Sequence, residues 1–280
     1  MGRYSQLALE CSARAERSGA LVPLETERVE VSSAPHFVVR RLLASTPKHL
    51  RREGPKPNPF LPWDRDLEVE RLGESHVLLL NKYPVQRGHL LLITQHWQPQ
   101  SGWLDALDWR HVARVDLDST GLWFFNSSAA AGASQPHRHL QLLPRSTSSL
   151  LYPLQPEFER QLQSGQRHWP WRYCLSQRRA GWLNPEAAAG ELEELYHAHA
   201  LELGLGSRAH DPGPLHPYNL VFGRDWLMTV RREREHWAGF SVNALGFAGY
   251  LLVTQESEQD WLHQHGGEAL LAAVAVPAQA

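Results

Sequence analysis

Residues 121–143 read GLWFFNSSAAAGASQPHRHLQLL, and the organisation of the chain turns on how this stretch divides. Residues 121–126 (GLWFFN) are a short apolar run of the kind that forms a buried strand. The next nine residues, 127–135, are small or polar and form a loop. From His137 to Leu143 polar and apolar residues alternate, so a second strand is expected to carry His137, His139 and Gln141 on one face and Arg138, Leu140 and Leu142 on the other.

Working outward, residues 75–81 (SHVLLLN) and 88–94 (GHLLLIT) are two further apolar runs joined through Tyr83-Pro84. They are expected to be neighbouring strands of a buried sheet. Helical spacing is present over 104–117 and again over 4–19, where Gly19 supplies a stop. Asn184 followed by Pro185 predicts a helix N-terminus, with Leu192, Leu195, Tyr196 and His199 on one face and Gly204 at its end. Residues 218–222 and 226–230 suggest two more strands, followed by a basic cluster at Arg231, Arg232 and Arg234. Five prolines between positions 47 and 62 predict an extended segment. The pattern divides the chain into an N-terminal region (1–46), a region holding the histidine row (47–150), a helical connection (151–210) and a C-terminal region (211–280). The Ala-rich text after Gly266 carries little information.

Composition limits what the chain does. A chain of 280 residues can bury a large core. Its 28 Lys and Arg against 30 Asp and Glu leave a net charge of −2, so no global positive field recruits nucleic acid or an anionic membrane. Cys11 and Cys174 form no Cys-x-x-Cys pair and are expected to be reduced structural thiols. Glu10, Arg14, Glu16 and Arg17 interrupt what a signal peptide would keep apolar, and no run approaches a membrane span; a cytoplasmic location is the expectation. Of the basic residues only Lys48, Lys56 and Lys82 are lysines. Either arginine bias left them by chance, or a compact ammonium is wanted there to hold phosphate.

Most of the 16 histidines are scattered singly, as surface or core residues usually are. His137 and His139 differ because they follow a Gly/Ala/Ser loop. A neutral imidazole is a good nucleophile if a neighbour fixes its tautomer; His137 or a backbone carbonyl could do so. Loop N–H groups, the Ser134 hydroxyl and the Gln141 amide could then hold phosphate oxygens. Three polar residues at period two also describe the solvent face of an amphipathic strand. Zinc on His137 and His139 would need further ligands that the text does not display.

The octapeptide at 134–141 (SQPHRHLQ) resembles the active-site motif of the histidine-triad superfamily in its His-x-His-x-Gln form. Together with NPFLPW at 58–63, NKYPVQRGHLLLIT at 81–94, FFNSSAAAGASQPHRHLQ at 124–141, PYNLVF at 217–222 and GFSVNALGFAG, it resembles the ATP adenylyltransferase, or diadenosine tetraphosphate phosphorylase, family. That resemblance implies an α+β fold, an antiparallel sheet flanked by helices with the C-terminal segment completing it. It implies that His139 is the nucleophile that takes AMP, flanked by His137 and Gln141, and that Asn126, Gly132, Ala133, Ser134 and Gln135 contact phosphate. Lys48, Asn81 and Lys82 fall where nucleotide contacts are expected; Asn219, Arg231 and the arginines near it are looser assignments. Gly223 stands where relatives often carry a hydroxyl residue.

The implied reaction cleaves diadenosine tetraphosphate with inorganic phosphate to ADP and ATP. No resident cofactor or metal is called for, although a divalent cation such as Mg could accompany the polyphosphate. Two alternatives stay open. One is a hexose-1-phosphate uridylyltransferase-like enzyme, from whose His-Pro-His pattern Arg138 departs; the other is a nucleotide sensor without turnover. Oligomeric state is not legible.

Overall fold

The computed structural model describes residues 2–43, 58–119, 121–144, 151–180 and 183–278. Helix α1 (Arg3–Ser18) ends where Gly19 adopts φ 77° and its N–H bonds the Glu16 carbonyl, the left-handed cap that glycine takes without a Cβ penalty. Strands β1 (Thr26–Val29) and β2 (Val38–Leu42) follow, then β3 (Glu68–Leu72), β4 (His76–Leu80) and β5 (Leu90–Thr94). Helix α2 (Ala106–Asp116) starts at Asp105, which with Asp108 forms a reciprocal capping box. The decisive stretch folds as β6 (Gly121–Asn126), a loop containing one 3-10 turn, and β7 (His139–Pro144).

The second half contributes α3 (Gln155–Ser164), β8 (Tyr173–Gln177), α4 (Pro185–Glu202), β9 (Tyr218–Phe222) and β10 (Trp226–Arg231). A two-residue hairpin, β11 (His236–Trp237) and β12 (Phe240–Ser241), then β13 (Tyr250–Val253) and α5 (Gln259–Val274), end the fold. As the Asn-Pro pair predicts, Asn184 accepts from the Ala187 N–H with Pro185 in the first turn of α4.

One eight-stranded sheet runs β3-β4-β5-β7-β6-β9-β10-β8, every pair antiparallel. Because β6 pairs with β9, the sheet is continuous between the region around the histidine row and the C-terminal region. A smaller sheet, β1-β2-β13, joins the two ends of the chain. One face of the large sheet presents Leu78, Leu90, Leu92, Leu140, Leu142, Trp123 and Leu220, which pack against α1, α2 and α4 through Ala8, Trp109, Val112, Leu192 and Tyr196. On the other face two apolar clusters are separate: Val77, Leu79, Leu91 and Ile93 with Phe60 on β4 and β5, and Leu122, Phe124, Val221 and Met228 with α3, α5 and β13. The histidine strand lies between them.

The text after Gly266 proves to be half of α5, buried through Leu270, Leu271 and Val274. Gly266 interrupts the helix at φ 82°, and a Cβ there would lie 2.5 Å from the Ser33 carbonyl oxygen. That break hides the helical period in the sequence. Cys11 and Cys174 are free and buried. No helix among the described residues is long and apolar enough to cross a membrane.

Candidate active site

Strands β6 and β7 pair from Gly121↔Pro144 to Phe124↔Gln141 and then separate. The gap is filled by a side chain. Gln100 donates from Nε2 to the carbonyls of Asn126 (2.7 Å) and His139 (3.2 Å), and its Oε1 accepts from the His139 N–H (2.8 Å). Its amide substitutes for a peptide of the ladder, so strands can open at the site without stranding buried backbone groups. His139 begins β7 on the face shared with Gln141, Leu91 and Ile93, whereas Arg138 turns to the other face and pairs with Asp108 of α2 at 3.0 Å.

The orientation of His139 follows from one bond. Its Nδ1 lies 2.8 Å from the carbonyl oxygen of His137. A carbonyl only accepts, so Nδ1 carries the proton and Nε2 presents its lone pair. Burial holds the ring neutral by pushing its pKa down to about 4. The His137 ring is committed elsewhere: Nε2 donates to the Thr94 carbonyl (2.8 Å), and Nδ1 accepts from Asn58 Nδ2 (3.1 Å). Asn58 Oδ1 takes the Phe60 N–H, which fixes that amide. His137 therefore serves His139 through its backbone carbonyl and not as a base. The Phe60 ring packs against both imidazoles, with centroids 5.7 and 5.6 Å away, and Trp97 stands edge-on to His137.

Gln141 is oriented by a chain that starts from a backbone donor. Tyr83 N–H donates to Asn81 Oδ1 (3.2 Å), so Asn81 Nδ2 faces His89 Nδ1 (3.2 Å) as a donor. His89 must then carry its proton on Nε2, which donates to Gln141 Oε1 (3.1 Å). Among the described residues the Gln141 NH₂ meets no acceptor, which leaves it for a ligand oxygen. His89 is itself held neutral, its pKa pushed down to about 4 by burial against the opposing pull of Gln141.

The loop before the histidines is held from behind. Gly132 has φ 86°, and a Cβ would meet Asn243 Cβ at 2.8 Å, so only glycine fits. The N–H groups of Gly132 and Ala133 turn inward to Ala129 and Ser128 carbonyls, whereas those of Ser134 and Gln135 meet no acceptor among the described residues. Gln135 Oε1 is buried and unpartnered. Asn126 Oδ1 accepts from Asn219 Nδ2 (2.8 Å) and the Ala244 N–H (2.9 Å). Asn219 also donates to the Ala131 carbonyl (2.8 Å), and Arg232 donates to Asn219 Oδ1.

The structure thus gathers Asn126, Gly132, Ala133, Ser134, Gln135, His137, His139, Gln141 and Asn219, with Asn81 acting through His89. Lys82 has an exposed side chain beyond the end of β4 and bonds none of these site residues among the described residues. Lys48 lies outside the described residues, as does Lys56. Arg231 is not brought to the site: it is on the α4 face of β10 and donates to the Leu203 carbonyl at 3.1 Å. Alternation along β10 leaves Met228 and Val230 on the face of His139, and Arg231 takes the other. Gly223 occupies the β9–β10 turn, its N–H on the Trp226 carbonyl. Sequence reasoning missed Gln100, Thr94, Asn58 and His89, and it reached Arg232 only as one of the arginines near Arg231. Asn58 was findable from the Asx turn that Asn-Pro-Phe favours; Gln100 left no local signal.

A sheet that opens at a His-x-His-x-Gln strand, with its middle imidazole oriented by the strand's own carbonyl, defines the histidine-triad class. The chain belongs to the Ap4A phosphorylase/ATP adenylyltransferase family: residues 2–160 match the Ap4A phosphorylase N-terminal domain and 167–277 the ATP adenylyltransferase C-terminal domain. Protein APA1 of Saccharomyces cerevisiae is 25% identical over 209 residues, an alignment covering 65% of this chain and 63% of that relative. The crystal structure of yeast Ap4A phosphorylase Apa2 superposes with a TM-score of 0.74 at 19% identity, covering 100% of this chain and 99% of that one. Apa2 in complex with AMP gives the same score at 18% identity, covering 100% and 98%. At such identities these structures speak for the fold.

Proposed function

We propose that this protein is a nucleotidyltransferase that cleaves diadenosine tetraphosphate with inorganic phosphate to ADP and ATP through an adenylyl-histidine on His139. The carrying observation is the His139 Nδ1 to His137 carbonyl bond. A neutral, buried imidazole with its second nitrogen aimed outward needs no base to become a nucleophile.

In the first step the Nε2 lone pair attacks the α-phosphorus, the Nε2–P bond forms, the bond to the bridging oxygen breaks and ATP leaves. The ring becomes cationic without losing its Nδ1 proton, and the His137 carbonyl strengthens its hold on that proton as charge develops. The Ser134 and Gln135 N–H groups and the Gln141 amide donate to the non-bridging oxygens. An oxygen of inorganic phosphate then attacks phosphorus, the N–P bond breaks, and ADP is released. A histidine in place of Gln141 could help to activate water; an amide cannot move that proton. The intermediate is therefore expected to wait for an acceptor that is already anionic. Any divalent cation such as Mg would arrive on the polyphosphate. The relative crystallised with Ap4A and with AMP supports this substrate class.

Mixing enzyme with diadenosine tetraphosphate in phosphate-free buffer should release one ATP per site, with AMP retained on a peptide containing His139 by mass spectrometry. Added phosphate should restore turnover. His139→Ala should keep nucleotide binding and lose both events. Sustained formation of free AMP without phosphate would overturn the phosphorylase reading.

A further inference from the structure

Three arginines are buried in the described structure, and two have carboxylates. Arg138 pairs with Asp108 at 3.0 Å, and Arg178 lies between Asp116 (3.6 Å) and Glu191 (3.7 Å). Arg232 is the exception. It is only 1% exposed, and no carboxylate of the described residues lies within ion-pair distance. Its guanidinium donates to neutral acceptors: the carbonyls of Val274 (3.1 Å), Arg234 (2.7 Å), Val242 (2.9 Å) and Ala131 (3.5 Å), and Asn219 Oδ1. The Phe247 ring covers it at 5.3 Å. Glu235, the nearest acidic influence, is committed to the Ser241 hydroxyl (2.6 Å) and to His236 (3.5 Å).

Hydrogen bonds satisfy the donors but leave most of the charge uncompensated, a costly state in a protein interior. The C-terminus of α5, through Val274, offsets part of it. The remainder has a direction. Arg232 and Asn219 both donate to the Ala131 carbonyl, at the back of the loop whose Ser134 and Gln135 N–H groups are open.

We propose that Arg232 is the internal counter-charge of the bound polyphosphate, a positioning residue that holds the Gly132–Gln135 loop and supplies its positive potential without touching the ligand. This rests on the reading that the site takes nucleoside polyphosphates. Neutral carbonyls alone could be served by a neutral donor, so the cation itself is the informative choice. The field acts in proportion to ligand charge, and shape does not.

The test compares adenosine, AMP and inorganic tripolyphosphate by calorimetry on the native protein, Arg232→Gln and Arg232→Lys. Gln should leave adenosine affinity nearly unchanged, weaken AMP several-fold and weaken tripolyphosphate by about 10- to 100-fold, as expected for a through-space charge in a medium of intermediate dielectric. Lys, which keeps charge and loses the fork, should hold tripolyphosphate within about fivefold of the native value. If Gln fails to fold, the Lys variant decides: a tripolyphosphate loss far beyond its adenosine loss overturns the charge assignment. Equal losses for all three ligands in Gln, or none, also overturn it and make Arg232 a structural tie. Failure of the native protein to bind tripolyphosphate or diadenosine tetraphosphate would instead refute the substrate reading.

Discussion

His89 shows how a residue remote from the reacting atoms can set their geometry. With Nδ1 accepting from Asn81 and Nε2 donating to Gln141, it fixes which end of the Gln141 amide meets the ligand. A free amide would spend part of its time presenting Oε1, an acceptor, to phosphate oxygens that repel it. His89→Phe fills much of the same volume and removes both polar contacts. It should lower kcat by about 10- to 100-fold, corresponding to one misdirected hydrogen bond of about 1.5–3 kcal/mol in the transition state, with a smaller change in KM. Steady-state kinetics check this, and a proportional rise in KM with kcat intact would show that Gln141 serves ground-state binding. The same comparison shows what sequence can convey about a residue. His139 and Gln141 are legible because strand alternation places them on one face. The committed state of the His137 ring is not, because Thr94 and Asn58 reach it from segments 43 and 79 positions away.

At the scale of elements, two glycines separate conformational need from mere occurrence. Gly132 carries φ 86° with Asn243 against its missing Cβ, whereas Gly190 lies within α4 with nothing within 4 Å of an added methyl. Gly132→Ala must displace the Asn243 backbone or shift the open N–H groups, adding left-handed strain of about 1–2 kcal/mol to the clash. It should cut kcat/KM at least tenfold and lower Tm. Gly190→Ala removes unfolded-state freedom from an exposed helical position and should stabilise by about 0.5–1 kcal/mol at unchanged activity. Thermal melts and kinetics on the pair test the contrast; equal tolerance at both positions would mean that the loop adapts freely. Elements were legible where local signals agree: the apolar runs became β4, β5, β6 and β9, and Asn184-Pro185 became the start of α4. They were illegible where tertiary packing overrides local text. The Gly266 break is held by Ser33, 233 positions earlier, and β7 begins at His139 because Gln100 occupies the ladder position of its neighbours.

Over the whole molecule, the burial that keeps His139 nucleophilic is shared by three other imidazoles, and together they set an acid limit. His89, His111, His139 and His199 each have their pKa pushed from 6.5 to about 4, with desolvation as the leading cause. They are spread over the residue that leads into β5 and over α2, β7 and α4, so no single element accounts for them. Each is neutral in the native state, while the unfolded chain takes up protons as pH falls through about 6.5. Between about 6.5 and 4 the unfolded state binds more protons, so stability is complete above that window and declines as pH drops through it. Each imidazole contributes a slope of up to about 1.4 kcal/mol per pH unit. Integrated across the window from about 6.5 to 4, four such slopes rival the roughly 5–15 kcal/mol that holds a protein folded, so the fold should fail above pH 4, before the His139 ring protonates in place. Urea midpoints should therefore fall steeply from pH 6.5 to 5, and kcat per folded molecule should stay level over the same interval. His199 allows the two effects to be separated, because its partners Ser176 and Thr229 lie on the α4 side of the sheet, away from the nucleophile. His199→Asn should reduce the acid slope by about one proton and leave the pH dependence of kcat unchanged. Midpoints that stay flat down to pH 4.5, with kcat falling instead, would show that these imidazoles accept protons within the native fold and that His139 is poised by something other than its burial.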